Sequence, residues 1–182
     1  MRIYNPLSKQ IVTVLLFAVL FCLPLAAQEQ TIDDLFDDLR AAPVGQADRI
    51  ADKINGIWSK SGSASMDLLL KRGRDALDDG QTQAAIEHFT ALIDHAPDFA
   101  QAYSMRAAAY HKANYFGPAL FDLQSALALN PRHFGAMTGL GALQEAMEQP
   151  QKALENYRRV LEIMPQNEDI QKAVARLEGM AL

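Results

Sequence analysis

Between Met66 and Pro165 the apolar residues fall into short helical stripes separated by breakers. In the first stretch Leu69, Gly73 and Ala76 share one face at i, i+4 and i+7, the spacing of an α-helix. Gly80 ends it. A second helix then carries Ala85, Ile86, Phe89, Leu92 and Ile93 and closes before Pro97, which has no amide donor to continue it. The pattern starts again at a fixed interval. Pro97, Pro131 and Pro165 stand 34 residues apart, as do Ala85, Ala119 and Ala153, and also Phe89, Leu123 and Tyr157. Such a period predicts one two-helix unit stacked on copies of itself, because a single hairpin cannot cover its own apolar face. Gly73, Ala85, Ala107, Ala119, Gly141 and Ala153 predict a close approach of the two helices within each unit.

The second unit, Ala100 to Pro131, presents Tyr103, Ala107 and Tyr110 in its first helix. Asn114 stands at the turn, where it tolerates the left-handed conformation, and Pro118 falls in the first turn of the next helix. The third unit, Phe134 to Pro165, keeps Leu140-Gly141 but has Gln144 in place of an aromatic and turns on Glu148-Gln149-Pro150, without glycine. On these residues the segment resembles the tetratricopeptide repeat. The resemblance implies an all-α fold, a right-handed α-solenoid with units at 66–99, 100–133 and 134–165.

Residues 28–65 read as an N-terminal helical cap or degenerate first repeat. Thr31 opens a helix whose stripe of Ile32, Leu35, Phe36 and Leu39 opposes Asp33, Asp34, Asp37 and Asp38. After Pro43-Val44-Gly45, a helix from about Gln46 to Lys60 places Ala47, Ile50, Ile54, Ile57 and Trp58 on one side. The alternative use of this segment is an acidic amphipathic helix that docks a partner. Residues 166–182 predict a C-terminal capping helix with Ile170, Val174 and Leu177 inward. The expectation is nine helices and no strand beyond the leader.

Residues 1–27 have the pattern of a cleaved secretory signal peptide. Arg2 and Lys9 form a positive start, Ile11 to Leu23 is an uncharged apolar run, and Pro24-Leu25-Ala26-Ala27 offers small residues for cleavage. The run is short of the ~18 residues a spanning helix requires, so no stable membrane insertion is expected after cleavage. Cys22, the sole cysteine, lies inside it behind Phe21, where a lipidation signal calls for a small residue; the mature chain would hold no thiol or disulfide. The expected location is outside the cytoplasm, in the periplasm if the source is a Gram-negative bacterium. Without Arg2 and Lys9, 15 basic residues face 22 acidic ones, a net −7. An acidic chain with no basic stripe argues against a nucleic-acid partner.

No constellation for bond-making emerges. His88 and His95 lack the i, i+4 metal spacing, and His111 and His133 are isolated; all four read as solvated or half-buried. Gly135, Gly139 and Gly141 follow no strand and miss the dinucleotide spacing. No catalytic residue, metal or cofactor is expected. What remains is a surface. In the family that the chain resembles, the first helix of each unit lines a concave groove that holds peptides. The residues matching groove positions are Leu70, Lys71, Arg74 and Leu77, then Ser104, Met105, Ala108 and His111, then Thr138 and Ala142. Chaperone-binding members clamp a terminal carboxylate with Lys, Asn and Arg, whereas Leu70, Met105, Gly135 and Gly139 stand there in this chain, so that clamp is absent. The functional expectation is a non-catalytic exported adaptor for a protein or peptide partner. A structural subunit of an envelope assembly is the alternative, and an enzyme or enzyme subunit the third reading. Cleavage after Ala27 is checked by mass spectrometry of the native protein, which should find Gln28, free or cyclised, at the N-terminus; retention of residues 1–27 in the membrane fraction would contradict export.

Overall fold

The computed structural model describes residues 30–180. The leader expected at 1–27, with Cys22 and the Ala27 cleavage site, lies outside the described residues. From Ile32 onward the chain forms one compact unit. Its described residues hold nine α-helices and no strand, as expected. They are α1 (Ile32–Ala41), α2 (Ala47–Trp58), α3 (Ala64–Asp78), α4 (Thr82–His95), α5 (Ala100–Lys112), α6 (Phe116–Leu129), α7 (Phe134–Ala146), α8 (Pro150–Ile163) and α9 (Glu168–Met180). Three hairpins, α3–α4, α5–α6 and α7–α8, stack in sequence order as a right-handed α-solenoid.

Side-chain size sets how closely each hairpin closes. A Cβ added to Gly73 would fall inside the ring of Phe89, and one added to Gly141 inside the ring of Tyr157. Ala85, Ala119 and Ala153 are each fully buried on the partner helix. Continuous apolar clusters then run from unit to unit: Leu70, Phe89 and Leu92 pack with Ala102 and Ala109, while Ala107, Ala119 and Leu123 pack with Ala136 and Leu140.

The turns repeat as faithfully as the helices. Gly80, Asn114 and Glu148 adopt positive φ of 77°, 61° and 58°. The next amides, of Gln81, Tyr115 and Gln149, each donate at 2.8 Å to the carbonyl oxygens of Ala76, Tyr110 and Gln144, closing the same C-terminal motif three times. Glu148 takes a left-handed conformation that favours glycine because both flanking helices are fixed by packing.

Polar contacts join the units where apolar ones do not. Arg106 donates from Nε and Nη2 to the Asp122 carboxylate at 2.7 and 2.8 Å, and from Nη1 to Thr90 Oγ1 at 3.1 Å, tying α5 to α6 and α4. Asp122 is 1% exposed, and this bond raises the Arg106 pKa above its ordinary value. At the C-terminal end Ile170 and Leu177 of α9 are buried beside Tyr157 and Val160. Glu145 accepts from Tyr157 Oη at 2.8 Å and pairs with Arg176 of α9 at 2.6 Å.

The α1–α2 hairpin does not continue the stack past the first unit. Its buried residues Leu35, Phe36, Leu39, Ala42, Ala47, Ala51 and Ile54 join Phe134 and Met164 of the third unit, and no residue of α3 to α6 enters that cluster. The linker bends at Gly62, whose φ is +81°. Arg132 settles over the Phe36 ring, 4.2 Å from its centroid, and pairs with Asp33 at 2.7 Å. Ile57, placed on the apolar side by sequence, is 43% exposed instead, since the hairpin buries a narrower face than the stripe suggests.

The close approach gives a direct test. Ala119 is fully buried and Ala128 exposed, so Ala119→Leu should cost ~1–3 kcal/mol by overpacking while Ala128→Leu leaves stability nearly unchanged. Equal melting temperatures for the two variants would contradict the packing described.

Candidate functional site

The first helices of the three units, α3, α5 and α7, bring their inner faces together around a half-open cavity of about 690 Å³. Arg74 comes from α3, Gln101, Ser104, Met105, Ala107, Ala108 and His111 from α5, and Gly135 and Gly139 from α7. Leu123 and His133 complete the floor. The remaining wall is one that the 34-residue pattern does not indicate: Asp52, Asn55, Gly56 and Ser59, all from α2 or its C-terminal cap. The small residues of α5 and α7 leave the space open. A Cβ on Gly139 would stand 3.1 Å from Leu123, so even alanine there would crowd the floor.

Five of the ten residues expected at the groove meet at this cavity: Arg74, Ser104, Met105, Ala108 and His111. The others do not. Leu70 is 1% exposed and packs in the core with Phe89, because the face it shares with Gly73 and Leu77 turns toward α4. Leu77 is half-buried against the same cluster. Lys71 is exposed and pairs with Asp75 one turn on, at 2.6 Å. Thr138 and Ala142 are half-buried on α7 away from the cavity lining.

Arg74 and Asp52 carry the formal charges of the lining, and neither has an ion-pair partner within 4.0 Å among the described residues. Arg74 Nη2 donates to Ser59 Oγ at 2.8 Å, leaving the other donors of the guanidinium uncommitted to protein side chains. Burial lowers its pKa from the ordinary value and the charge of Asp78 opposes that; it stays a cation at any physiological pH.

His133 departs from its sequence expectation. It is 2% exposed, not solvated or half-buried. Its Nδ1 accepts the Ala136 amide of α7 at 3.1 Å, capping that helix, so the proton sits on Nε2, which donates to Gln101 Oε1 at 3.0 Å. The Trp58 indole stacks on it at 4.8 Å between centroids and also touches Phe36 and Phe134, at 5.8 and 5.1 Å. Sequence gives no sign of this role, because a histidine before a helix is a weak cap signal and Trp58 reaches it only through the folded-back hairpin. Among the described residues no cluster of His, Cys, Asp or Glu could hold a metal ion.

Burial lowers the His133 pKa to about 4 from the usual 6.5. The unfolded chain takes up a proton near pH 6.5 and the folded chain does not, so stability is complete above that value and falls as pH drops toward 4. His133→Asn keeps a capping acceptor without the titration. The wild type should lose on the order of 2 kcal/mol more than this variant between pH 7 and 4.5, read as the difference of their denaturant midpoints. Parallel losses in the two proteins would contradict the buried neutral imidazole.

No family model matches the chain. It is 29% identical over 153 residues to a TPR repeat-containing protein of Rhizobium etli, covering 84% of this chain and 75% of that one. It is 32% identical over 106 residues to the Hsp70-Hsp90 organizing protein 1 of Glycine max, covering 58% of this chain but only 18% of the relative's length. Among solved structures it superposes on the first TPR of Spaghetti (RPAP3) bound to the HSP90 peptide SRMEEVD, with a TM-score of 0.62 and 27% identity over 64% of this chain and 92% of that one. Relatives, solved neighbours and the 34-residue architecture agree: the chain is similar to tetratricopeptide repeat proteins and shares their fold.

Proposed function

We propose that the chain is a non-catalytic exported adaptor that holds a peptide segment of a protein partner against α3, α5 and α7. The observation that carries this reading is Arg74, a half-buried guanidinium at a cavity of about 690 Å³ with no carboxylate within 4.0 Å among the described residues. A carboxylate of the partner, terminal or side-chain, would take the fork of Arg74 in paired hydrogen bonds, roughly twice as strong as neutral ones. Met105, Ala108, Leu123 and Gly139 offer the apolar floor for the neighbouring ligand residues. With Leu70 in the core and Lys71 paired to Asp75, one cation does the anchoring, so apolar contacts carry most of the specificity.

The similarity to a TPR domain solved with an HSP90 peptide supports a peptide ligand. The leader-like residues 1–27 support release outside the cytoplasm. The test begins with affinity capture of the partner from the native envelope. Arg74→Glu combined with Ala108→Trp should reduce capture at least tenfold while helicity and melting temperature stay nearly unchanged. Lys71→Glu, outside the cavity, should leave capture intact. Undiminished capture by the folded double variant would place the binding surface elsewhere.

A further inference from the structure

The wall that α2 gives the cavity is attached differently from the rest of the fold. Each unit of the solenoid has an apolar cluster that contains no hairpin residue. The hairpin, conversely, closes mostly on itself; its apolar cluster takes in Phe134 and Met164 of the solenoid, and Trp58 stacks on the buried His133. Three polar ties between hairpin and solenoid are at the surface or half-exposed: Arg132 to Asp33 at 2.7 Å, Arg40 Nε to the Glu162 carbonyl at 3.4 Å, and Arg74 to Ser59 at 2.8 Å. Exposed pairs of this kind contribute about 0–1 kcal/mol each.

The seam itself is imperfectly filled. Gln166 reaches across it to the Arg40 carbonyl at 3.5 Å, while its Oε1 is buried with no hydrogen-bond partner among the described residues. Native folds rarely leave such an acceptor orphaned, and it opposes closure. Hollows of about 360 and 320 Å³ open along the same seam, one beside Trp58 and Phe99, the other between Val44 and Met164. The connection to α3 is Lys60-Ser61-Gly62-Ser63, which lies outside any helix.

We propose that the α1–α2 hairpin is a displaceable gate on the groove, opening about the 60–63 linker while the three repeat units stay folded. The gate acts on the groove assigned above and so rests on that reading. In the closed position α2 forms one wall of the cavity through Asp52, Asn55 and Gly56. It also shares Arg74 with the ligand, since the same guanidinium that would meet a partner carboxylate holds Ser59. A ligand drawing Arg74 away loosens the hairpin, and a loosened hairpin admits a longer ligand.

The test needs no partner, so its failure is distinct from failure of the peptide reading. In the full chain, amide exchange of α1 and α2 should be at least tenfold faster than that of α5 and α7. With Cys22→Ser and Ser104→Cys, the new thiol lies in the cavity lining. Phe36→Ala, or Asp33→Lys where the alanine variant does not fold, should speed its labelling by a bulky maleimide at least tenfold. The emission of Trp58, the only tryptophan, should shift to the red at the same time, with α3 to α8 keeping their protection. Unchanged labelling, or protection lost together across all helices, would overturn the gate.

Discussion

Everything in this chain depends on two aromatic rings lying where a β-carbon would otherwise stand. Phe89 against Gly73 and Tyr157 against Gly141 bring the helices of a unit together until backbone meets ring. That contact sets the spacing within the unit, and the equally small Ala102, Ala109 and Ala136 set it between units. Regular spacing then places three first helices side by side with their small residues inward, so the open cavity is a by-product of how the units pack. A larger side chain at Gly139 would begin to fill it. Fold and site therefore share one cause.

The N-terminal hairpin stands apart from that regularity. Its amphipathic stripe is buried, but against the entry of the third unit, where Arg132 covers Phe36 and Trp58 covers His133. The acidic face of α1 thus meets the solenoid at Arg132, and the neutral imidazole beneath Trp58 couples the seat to the start of α7.

Much of the architecture was legible because it repeats. Three prolines, three alanines and three large residues at one interval fix helix ends and inward faces without any knowledge of contacts. The same grid points from Gly80 and Asn114 to Glu148, although glutamate by itself gives no hint of a left-handed turn. The site was half legible. Arg74, Ser104 and Ala108 follow from the groove positions that the repeat resemblance implies, whereas Leu70 shows the limit of that register: it shares a face with Arg74, yet Phe89 draws that edge into the core. Asp52, Asn55, Ser59 and the capping role of His133 depend on a contact between distant segments that no period encodes.

The buried pair of Arg106 and Asp122 bears on how such a protein can change. Repeats invite duplication, deletion and exchange, because apolar faces at equal spacing are nearly interchangeable. The positions one period away from Arg106 hold Arg72 and Leu140, and those one period from Asp122 hold His88 and Asn156. Both partners lie within the 100–133 unit, so exchange of whole units carries the pair along, whereas a crossover between α5 and α6 would leave a carboxylate or a guanidinium in the interior without its counterpart, a defect of about 3–5 kcal/mol. One ion pair thus binds the two helices of the middle unit to a common inheritance and marks the whole hairpin, not the single helix, as the module that can be exchanged.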